Sequence, residues 1–307
     1  MKQSLKKEKL VGKDGFDSYY GELFGSRWEP LKKALLGDVR YVELALGGTK
    51  SYFLDPASVC AALCLDTSAQ GEPGDGGFCI ADLCAAPGGK TLVIASCMDK
   101  GCELYSNERS PARKKRLDLV VQETLCEELS CRLHTSCSDA SLWGSRAKKA
   151  MPALPESFDA IFLDAPCSSE RHVLSDKKYL DIWSPARIKG LAQEQWALLS
   201  SAWRILKAGG SLVYATCALN PMENDGVVMR LKKKFPDAQF LSAEQVGKAF
   251  ARNLDRLLPG VKVGDLGFSL QEVFSFAERT ELGFHILPDT ASGCGPLYFC
   301  CIKKLGF

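Results

Sequence analysis

Four times along the chain a short polar residue is followed by proline and then by a helix-like run: Asp55-Pro56, Ser110-Pro111, Ser184-Pro185 and Asn220-Pro221. The polar side chain can accept a hydrogen bond from the first free amides of a helix, and proline at the next position gives up no bond. Between these marks lie short strand-like runs: FCIADLC (78–84), CELYSN (102–107), CRLHTS (131–136), FDAIFLD (158–164) and SLVYAT (211–216). Strand and helix in alternation admit few folds, and the economical one is a parallel sheet with right-handed crossovers and helices on both faces. GFHILP (283–288) and PLYFCCIKK (296–304) flank a Gly/Ser turn and predict an antiparallel hairpin at one sheet edge. Residues 1–65 read as a small helical lead-in and 66–307 as the main domain, with DTSAQGEPGDGG (66–77) an exposed loop before the first strand. Glu223 stands three residues after Asn220, close to a capping box, so a helix is expected to start there.

At 307 residues the chain can bury a substantial core, and its 46% hydrophobic and 25% charged residues are ordinary for a globular enzyme. No apolar run approaches the roughly 18–20 residues that cross a bilayer. MKQSLKKEKL lacks an apolar segment, which argues against a secretory signal; Glu8 and Asp14 argue mildly against a mitochondrial address. The expected location is cytoplasmic, with a mitochondrial one left open. Fourteen cysteines occur without a C-x-x-C and with only three histidines, so neither a disulfide framework nor a metal site is expected. Net charge is only +2, yet basic residues cluster at Lys6, Lys7 and Lys9, at Arg113–Arg116, at Arg146, Lys148 and Lys149, and at Lys232–Lys234. Each cluster alone reads as a solvated face; together they suit nucleic acid only if they share a side.

The first strand runs into DLCAAPGGKT (82–91), whose end mimics a phosphate loop. That loop needs a glycine five residues before Gly89, and Cys84 occupies the position. What remains is a tight turn at Pro87-Gly88-Gly89 and a helix beginning near Lys90, whose N-terminus favours a carboxylate. The second strand ends at Glu108, where a carboxylate can grip a ribose diol, and the third is followed by Asp139, within reach of an adenine amino group. A small adenosine compound bearing a carboxylate fits all three, and S-adenosylmethionine is the candidate.

Cys167 follows the fourth strand in DAPC and Cys217 the fifth in TCALNP. Carboxyl ends of strands form the working edge of an open α/β sheet, so both thiols are expected in the cleft beside the glycine turn. The helix expected at Asn220 would also lower the Cys217 pKa through its dipole. A thiolate adding at C6 of a pyrimidine makes C5 able to attack a methyl sulfonium, and Asp164 can stabilise the protonated ring nitrogen. These residues alone do not say which thiol attacks.

The stretches DLCAAPGGKT, LDAPCSSERH, IWSPARIKG and YATCALNPMEND resemble the successive motifs of the Sun/Fmu family of RNA cytosine-5 methyltransferases, from about residue 52 to the terminal GPLYFCCIKKL. The Arg-His after Pro-Cys and the closing GPLYF look closest to the compact mitochondrial-type rRNA and tRNA subgroup. The resemblance implies a Rossmann-like class I methyltransferase fold, with a mainly parallel seven-stranded sheet and S-adenosylmethionine as cofactor. It implies that Cys217 is the nucleophile and that Cys167 helps to expel the enzyme from the product, with Lys90 and Asp164 also catalytic. The donor site carries over to Cys84, Ala85, Ala86, Pro87, Gly88, Gly89, Lys90, Thr91, Glu108, Arg113, Asp139 and Asp164; at Glu108 aspartate is commoner in the family. The implied partner is rRNA or tRNA, with a specificity protein or a ribosomal subunit choosing the site. A catalytically silent RNA-binding protein and a DNA cytosine-5 methyltransferase are the competing readings.

Overall fold

The computed structural model describes residues 10–68, 77–144, 158–262 and 267–306. Its N-terminal part holds two helices, Gly12–Phe24 and Trp28–Leu36, then two short strands, β1 (Val42–Leu44) and β2 (Tyr52–Leu54). The main sheet contains β3 (Phe78–Asp82), β4 (Cys102–Asn107), β5 (Leu133–Ser136), β6 (Phe158–Asp164) and β7 (Leu206–Thr216). Later strands are β8 (Ala238–Phe240), β9 (Val261–Lys262), β10 (Glu278–Arg279), β11 (Phe284–Ile286) and β12 (Leu297–Lys304). Parallel pairing joins β5 to β4, β4 to β3, β3 to β6 and β6 to β7. β12 lies antiparallel against β7, and β11 against β12. These seven strands make up the expected sheet, C-terminal hairpin included; β10 beside β11 and β8 beside β12 extend it to nine. β3 and β6 are buried on both faces, so their sequences are almost unbroken apolar runs.

Strand order reverses at β3: β4 lies on one side of it and β6 on the other. At such a point the connections leave in opposite directions and open a crevice at the carboxyl ends. The glycine turn, Glu108 and Asp164 all sit at that edge. One face of the sheet is covered by helices Pro56–Leu63, Gly89–Cys97 and Ala243–Leu257, the other by Pro185–Ile205 and Asp225–Lys234. A third cluster packs Phe16, Tyr20, Trp28 and Leu31 of the N-terminal helices against Val173, Trp183 and Leu219. The N-terminal helices are thereby held against the segments that follow Cys167 and Cys217. The lead-in also contributes strands that its sequence does not announce, since β1 pairs with β2 and, across more than two hundred residues, with β9.

Three of the four proline marks open helices, at Pro56, Pro111 and Pro185. Asp55 caps the first by accepting from the Ala57 amide at 2.7 Å, and Ser110 caps the second, whereas the Ser184 side chain makes no such bond. The fourth expectation is corrected: the helix begins at Asp225, not after Asn220. Asn220 instead folds a turn, accepting from the Met222 amide at 2.9 Å, and the Glu223 carboxylate is drawn into the core by Ser168 and Gln195. Tertiary partners outweigh the local capping signal. Most of the loop at 66–77 and the clusters at Lys6–Lys9 and Arg146–Lys149 lie outside the described residues.

Asn253, fully buried on helix Ala243–Leu257, ties that helix to the end of Pro56–Leu63. It donates to the carbonyls of Leu63 at 2.9 Å and Leu65 at 2.7 Å and accepts from Thr67. Asn253→Ala leaves both carbonyls without a partner and is expected to lower stability by roughly 2–4 kcal/mol in urea unfolding.

Candidate active site

The turn after β3 is fixed from several sides. Leu83 donates to the Phe162 carbonyl and Ala85 to that of Asn107, at 3.0 and 2.8 Å, so the turn starts in register with β6 and β4. Gly88 has φ +120°, a conformation L side chains rarely adopt, and a Cβ there would sit 3.0 Å from Val120 Cγ1. A Cβ on Gly89 would fall 2.7 Å from Leu54 Cδ1. Arg113 reaches back from helix Pro111–Thr124, its Nη2 donating to the Ala86 carbonyl at 2.6 Å and its Nη1 lying 3.2 Å from Glu108 Oε2.

These residues border a cavity of about 260 Å³, lined by Cys84, Glu108, Arg113 and Asp139 among polar groups and by Leu83 and Leu198 among apolar ones. Glu108 is buried; its Oε1 accepts from the Ser110 amide at 2.9 Å, while Oε2 has no hydrogen-bond partner among the described residues. Asp139 caps the following turn with Oδ1, accepting from Ser141 at 3.0 Å. The Glu108 carboxylate, whose Oε2 faces the Arg113 guanidinium, and an apolar wall give this cavity the polar end and apolar side that suit a nucleoside. Of the residues expected to hold the donor, Thr91 does not line this cavity: its hydroxyl donates inward to Asp82 at 2.7 Å. Ala85, Ala86, Pro87, Gly88 and Gly89 contribute the turn's shape rather than cavity wall.

The second cluster stands where β6 and β7 end. Asp164 Oδ2 accepts from Lys90 Nζ at 2.7 Å. Burial pulls the Lys90 pKa down, but the Asp164 charge and hydrogen bond outweigh it and hold the ammonium above its ordinary value. The sulfurs of Cys167 and Cys217 are 3.0 Å apart, and the Ser169 hydroxyl lies 3.1 Å from Cys217 and 3.5 Å from Cys167. A hydrogen bond from Cys167 holds the Cys217 thiol below its usual value against burial, and Ser169 adds to that. Making that bond, together with burial, pushes the Cys167 thiol well up. The helix expected at Asn220 starts only at Asp225, and the groups that touch the Cys217 sulfur are the hydrogen-bond donors Cys167 and Ser169. Pro166 borders the nucleoside cavity and Cys167 follows it, so the cavity and the thiols adjoin.

Three features of the site were not singled out from sequence. Asp82 is buried; burial, only partly offset by the Thr91 bond, raises it to about 7, and its Oδ1 has no partner among the described residues. Its place at the head of DLCAAPGGKT was the available signal. Below the thiols, Ser168 Oγ touches both Glu170 and Glu223, the latter at 2.5 Å. Tyr20 donates to Glu170 as well, and the Leu219 amide does so at 2.9 Å. One hydroxyl proton cannot serve two carboxylates. Burial, with the Glu170 charge adding to it, raises Glu223 to about 7, which makes Glu223 the protonated member, donating to Ser168 while Ser168 donates to Glu170. The third feature is Ser169, whose φ of 55° and ψ of 63° place it in the left-handed region at a cost of about 1–2 kcal/mol.

Comparison with known proteins follows the same lines. A family model described as 16S rRNA methyltransferase RsmB/F matches residues 71–269. Ribosomal RNA small subunit methyltransferase F of Erwinia tasmaniensis is 39% identical over 178 residues, which is 58% of this chain and 35% of that protein. The protein of the same name from Shewanella sediminis is 41% identical over 159 residues, 52% of this chain and 31% of its own length. The chain thus spans about a third of the length of the curated relatives it matches. Among solved structures, a methyltransferase homolog protein from Pyrococcus horikoshii superposes with a TM-score of 0.62 at 19% identity, covering 96% of both chains. NSun6 from the same organism, solved with SFG, gives 0.56 at 21% identity, covering 85% of this chain and 54% of that one. At these identities the structures show the shared Rossmann-like methyltransferase fold alone.

Glu223 carries a testable pH signature. Its folded pKa, about 7, lies above its unfolded value of about 4.5, so its contribution to stability is complete below pH 4.5 and is lost as pH rises through 7. Glutamine mimics the protonated form, accepting from Ser168 N and Gln195 and donating to Ser168 Oγ. Glu223→Gln is expected to flatten the fall in stability between pH 5 and 7.5 by about 1–3 kcal/mol, read from urea unfolding at several pH values.

Proposed function

This chain belongs to the RsmB/F family of 16S rRNA methyltransferases, and from that premise we propose that it is an S-adenosylmethionine-dependent RNA cytosine-5 methyltransferase working through a covalent bond from Cys217 to its target base. The observation that carries the reading is the pair of sulfurs 3.0 Å apart at the ends of two adjacent strands, beside a nucleoside-sized cavity. In this reading 66–307 is the methyltransferase domain and 1–65 a lead-in that helps to hold the RNA. The substrate is an rRNA or tRNA, presented by a partner protein or a ribosomal subunit, in a cytoplasmic compartment that keeps the thiols reduced. In the same reading the turn from Cys84 to Thr91 shapes the donor site, and Glu108, Arg113, Asp139 and Asp164 contact the donor.

When bound, S-adenosylmethionine supplies an electrophilic methyl group. The chain's own residues make the base ready to take it. The Cys217 thiolate bonds to C6, the C5=C6 electron pair moves through C4 to N3, and N3 takes a proton from water. Asp164 stabilises that proton by accepting the N3–H hydrogen bond, and the proton returns to water as the C6–S bond breaks. C5 is now an enamine carbon and gains the methyl group. Cys167, having released its own proton, removes the C5 hydrogen; C5=C6 reforms and the Cys217 sulfur leaves with its electron pair. Lys90, fixed by Asp164, keeps positive charge beside Asp164 and the thiolate and orients the carboxylate toward the base edge.

RNA containing 5-azacytidine should trap a covalent adduct with the wild type and none with Cys217→Ala, whose methyl transfer falls by about 10³-fold or more in a labelled-methyl assay. Cys167→Ala is expected to accumulate adduct on ordinary cytosine, visible as a slow-migrating band in denaturing gels. Transfer to DNA in place of RNA, or an adduct that survives Cys217→Ala, refutes the assignment.

The donor pocket gives a separate measurement. Glu108→Gln replaces a charged acceptor by a neutral one and is expected to weaken S-adenosylmethionine binding about 10–100-fold in calorimetric titration, with the unfolding midpoint nearly unchanged.

A further inference from the structure

Two adjacent serines follow Cys167 and point in opposite directions. Ser168 turns into the protein, where its amide donates to Glu223 at 2.9 Å and its hydroxyl meets both buried carboxyls. Ser169 turns outward, in a backbone conformation that favours glycine, and brings its hydroxyl within reach of both sulfurs. The first serine fixes the loop; the second touches the reacting atoms. Side chains held in sparsely populated backbone conformations cluster at functional sites, and here the hydroxyl contacts both sulfurs.

We propose that Ser169 is a catalytic residue: one hydroxyl donor that stabilises whichever of Cys167 and Cys217 carries the negative charge at each stage. This rests on the reading of Cys217 as the nucleophile. Before attack, the Cys167 S–H and the Ser169 O–H both donate to the Cys217 thiolate, at 3.0 and 3.1 Å. Once Cys217 bonds to C6 its sulfur is a thioether, a weak acceptor, and both donors lose their partner. Cys167 can then release its proton to water, and Ser169 rotates about its side-chain torsion to donate to the new thiolate, 3.5 Å away in the resting geometry. When Cys167 takes the C5 proton and the C6–S bond breaks, the electron pair returns to Cys217 and Ser169 donates there again. No proton of Ser169 is consumed, so the hydroxyl acts twice in one turnover without changing state.

The nearby carboxylates make such a donor necessary. Asp164 and Glu170 both work against a negative charge on Cys217, and burial does so too. Lys90 is a cation near Cys217 that favours charge there, but its ammonium is hydrogen-bonded to Asp164, which offsets that charge. The short-range donors supply the rest.

The test is site-resolved alkylation of the RNA-free protein by iodoacetamide across pH, with the Cys217 and Cys167 peptides followed by mass spectrometry. Ser169→Ala and Ser169→Gly should both raise the Cys217 midpoint by about one pH unit or more. Ser169→Gly also relieves the left-handed backbone, so its melting temperature should be equal to or above that of the wild type, which separates loss of the hydroxyl from loss of structure. In a Cys217→Ala background, Ser169→Gly should raise the Cys167 midpoint in the same sense. Wild-type midpoints for Cys217 in both serine variants overturn the proposal; an unmoved Cys167 midpoint in the double variant overturns its two-sulfur form. Alkylation needs no RNA, so these results stand apart from the azacytidine adduct, whose absence in the wild type would defeat the methyltransferase reading instead.

Discussion

The parallel contact between β6 and β7, with Asp164 opposite Ala215, is the constraint from which the site follows. It brings two chain segments fifty residues apart to the same edge at the same height, so that three residues beyond Asp164 and two beyond Ala215 the sulfurs meet. A slip of one residue in that register would turn every side chain of the strand to the opposite face. The register continues past the strands, because the Ala165 amide donates to the Ala215 carbonyl at 2.9 Å. Strand pairing sets the separation of the thiols before any side chain beyond them is considered.

Strand ends alone leave loops, and loops need a second anchor. Glu170 and Glu223 supply it from the two thiol-bearing segments, meeting at Ser168. Glu170 further holds the Leu219 amide, Glu223 the Gln195 amide, and Asn220 donates to the Tyr19 hydroxyl at 2.7 Å. Tyr20 closes the cluster from the N-terminal helices. A buried acid pair is unfavourable unless it shares a proton, and the single-proton arrangement satisfies each oxygen that the geometry brings close. The N-terminal helices are therefore more than an appendage: their aromatic face packs on the segments carrying the thiols, and two of their tyrosines bond into them.

How much of this was legible in the sequence depended on whether the cause was local. β4 and β6 carry their boundaries in the sequence because β6 is an almost unbroken apolar run buried on both faces, while β4 opens on alternating buried and half-buried residues. The glycine turn was legible because Gly88 meets a backbone demand that few residues satisfy. The helix start at Asn220 was misjudged because a capping pattern is local, while the carboxylate it requires is held by residues fifty-five and twenty-eight positions away. β1, β2 and β9 are two or three residues long, which leaves no periodicity to read, and β1 pairs with β9 across the chain. Ser169 escaped for a related reason: a serine next to a serine says nothing about which way either hydroxyl points.

That same distinction decides how Cys217, the proposed nucleophile, is activated. A helix dipole would act on Cys217 over several ångströms and would be indifferent to small movements of the loop. Hydrogen bonds from Cys167 and Ser169 act only within about 3–3.5 Å, and their strength falls steeply with misalignment. Activation by contact ties the charge state of Cys217 to the position of the Cys167 loop, and that position is fixed by Ser168 on the buried acid pair. The thiolate is favoured only while both loops are in place. Burial, Asp164 and Glu170 all disfavour a sulfur anion at Cys217, and an S–H and an O–H donor at 3.0 and 3.1 Å offset them.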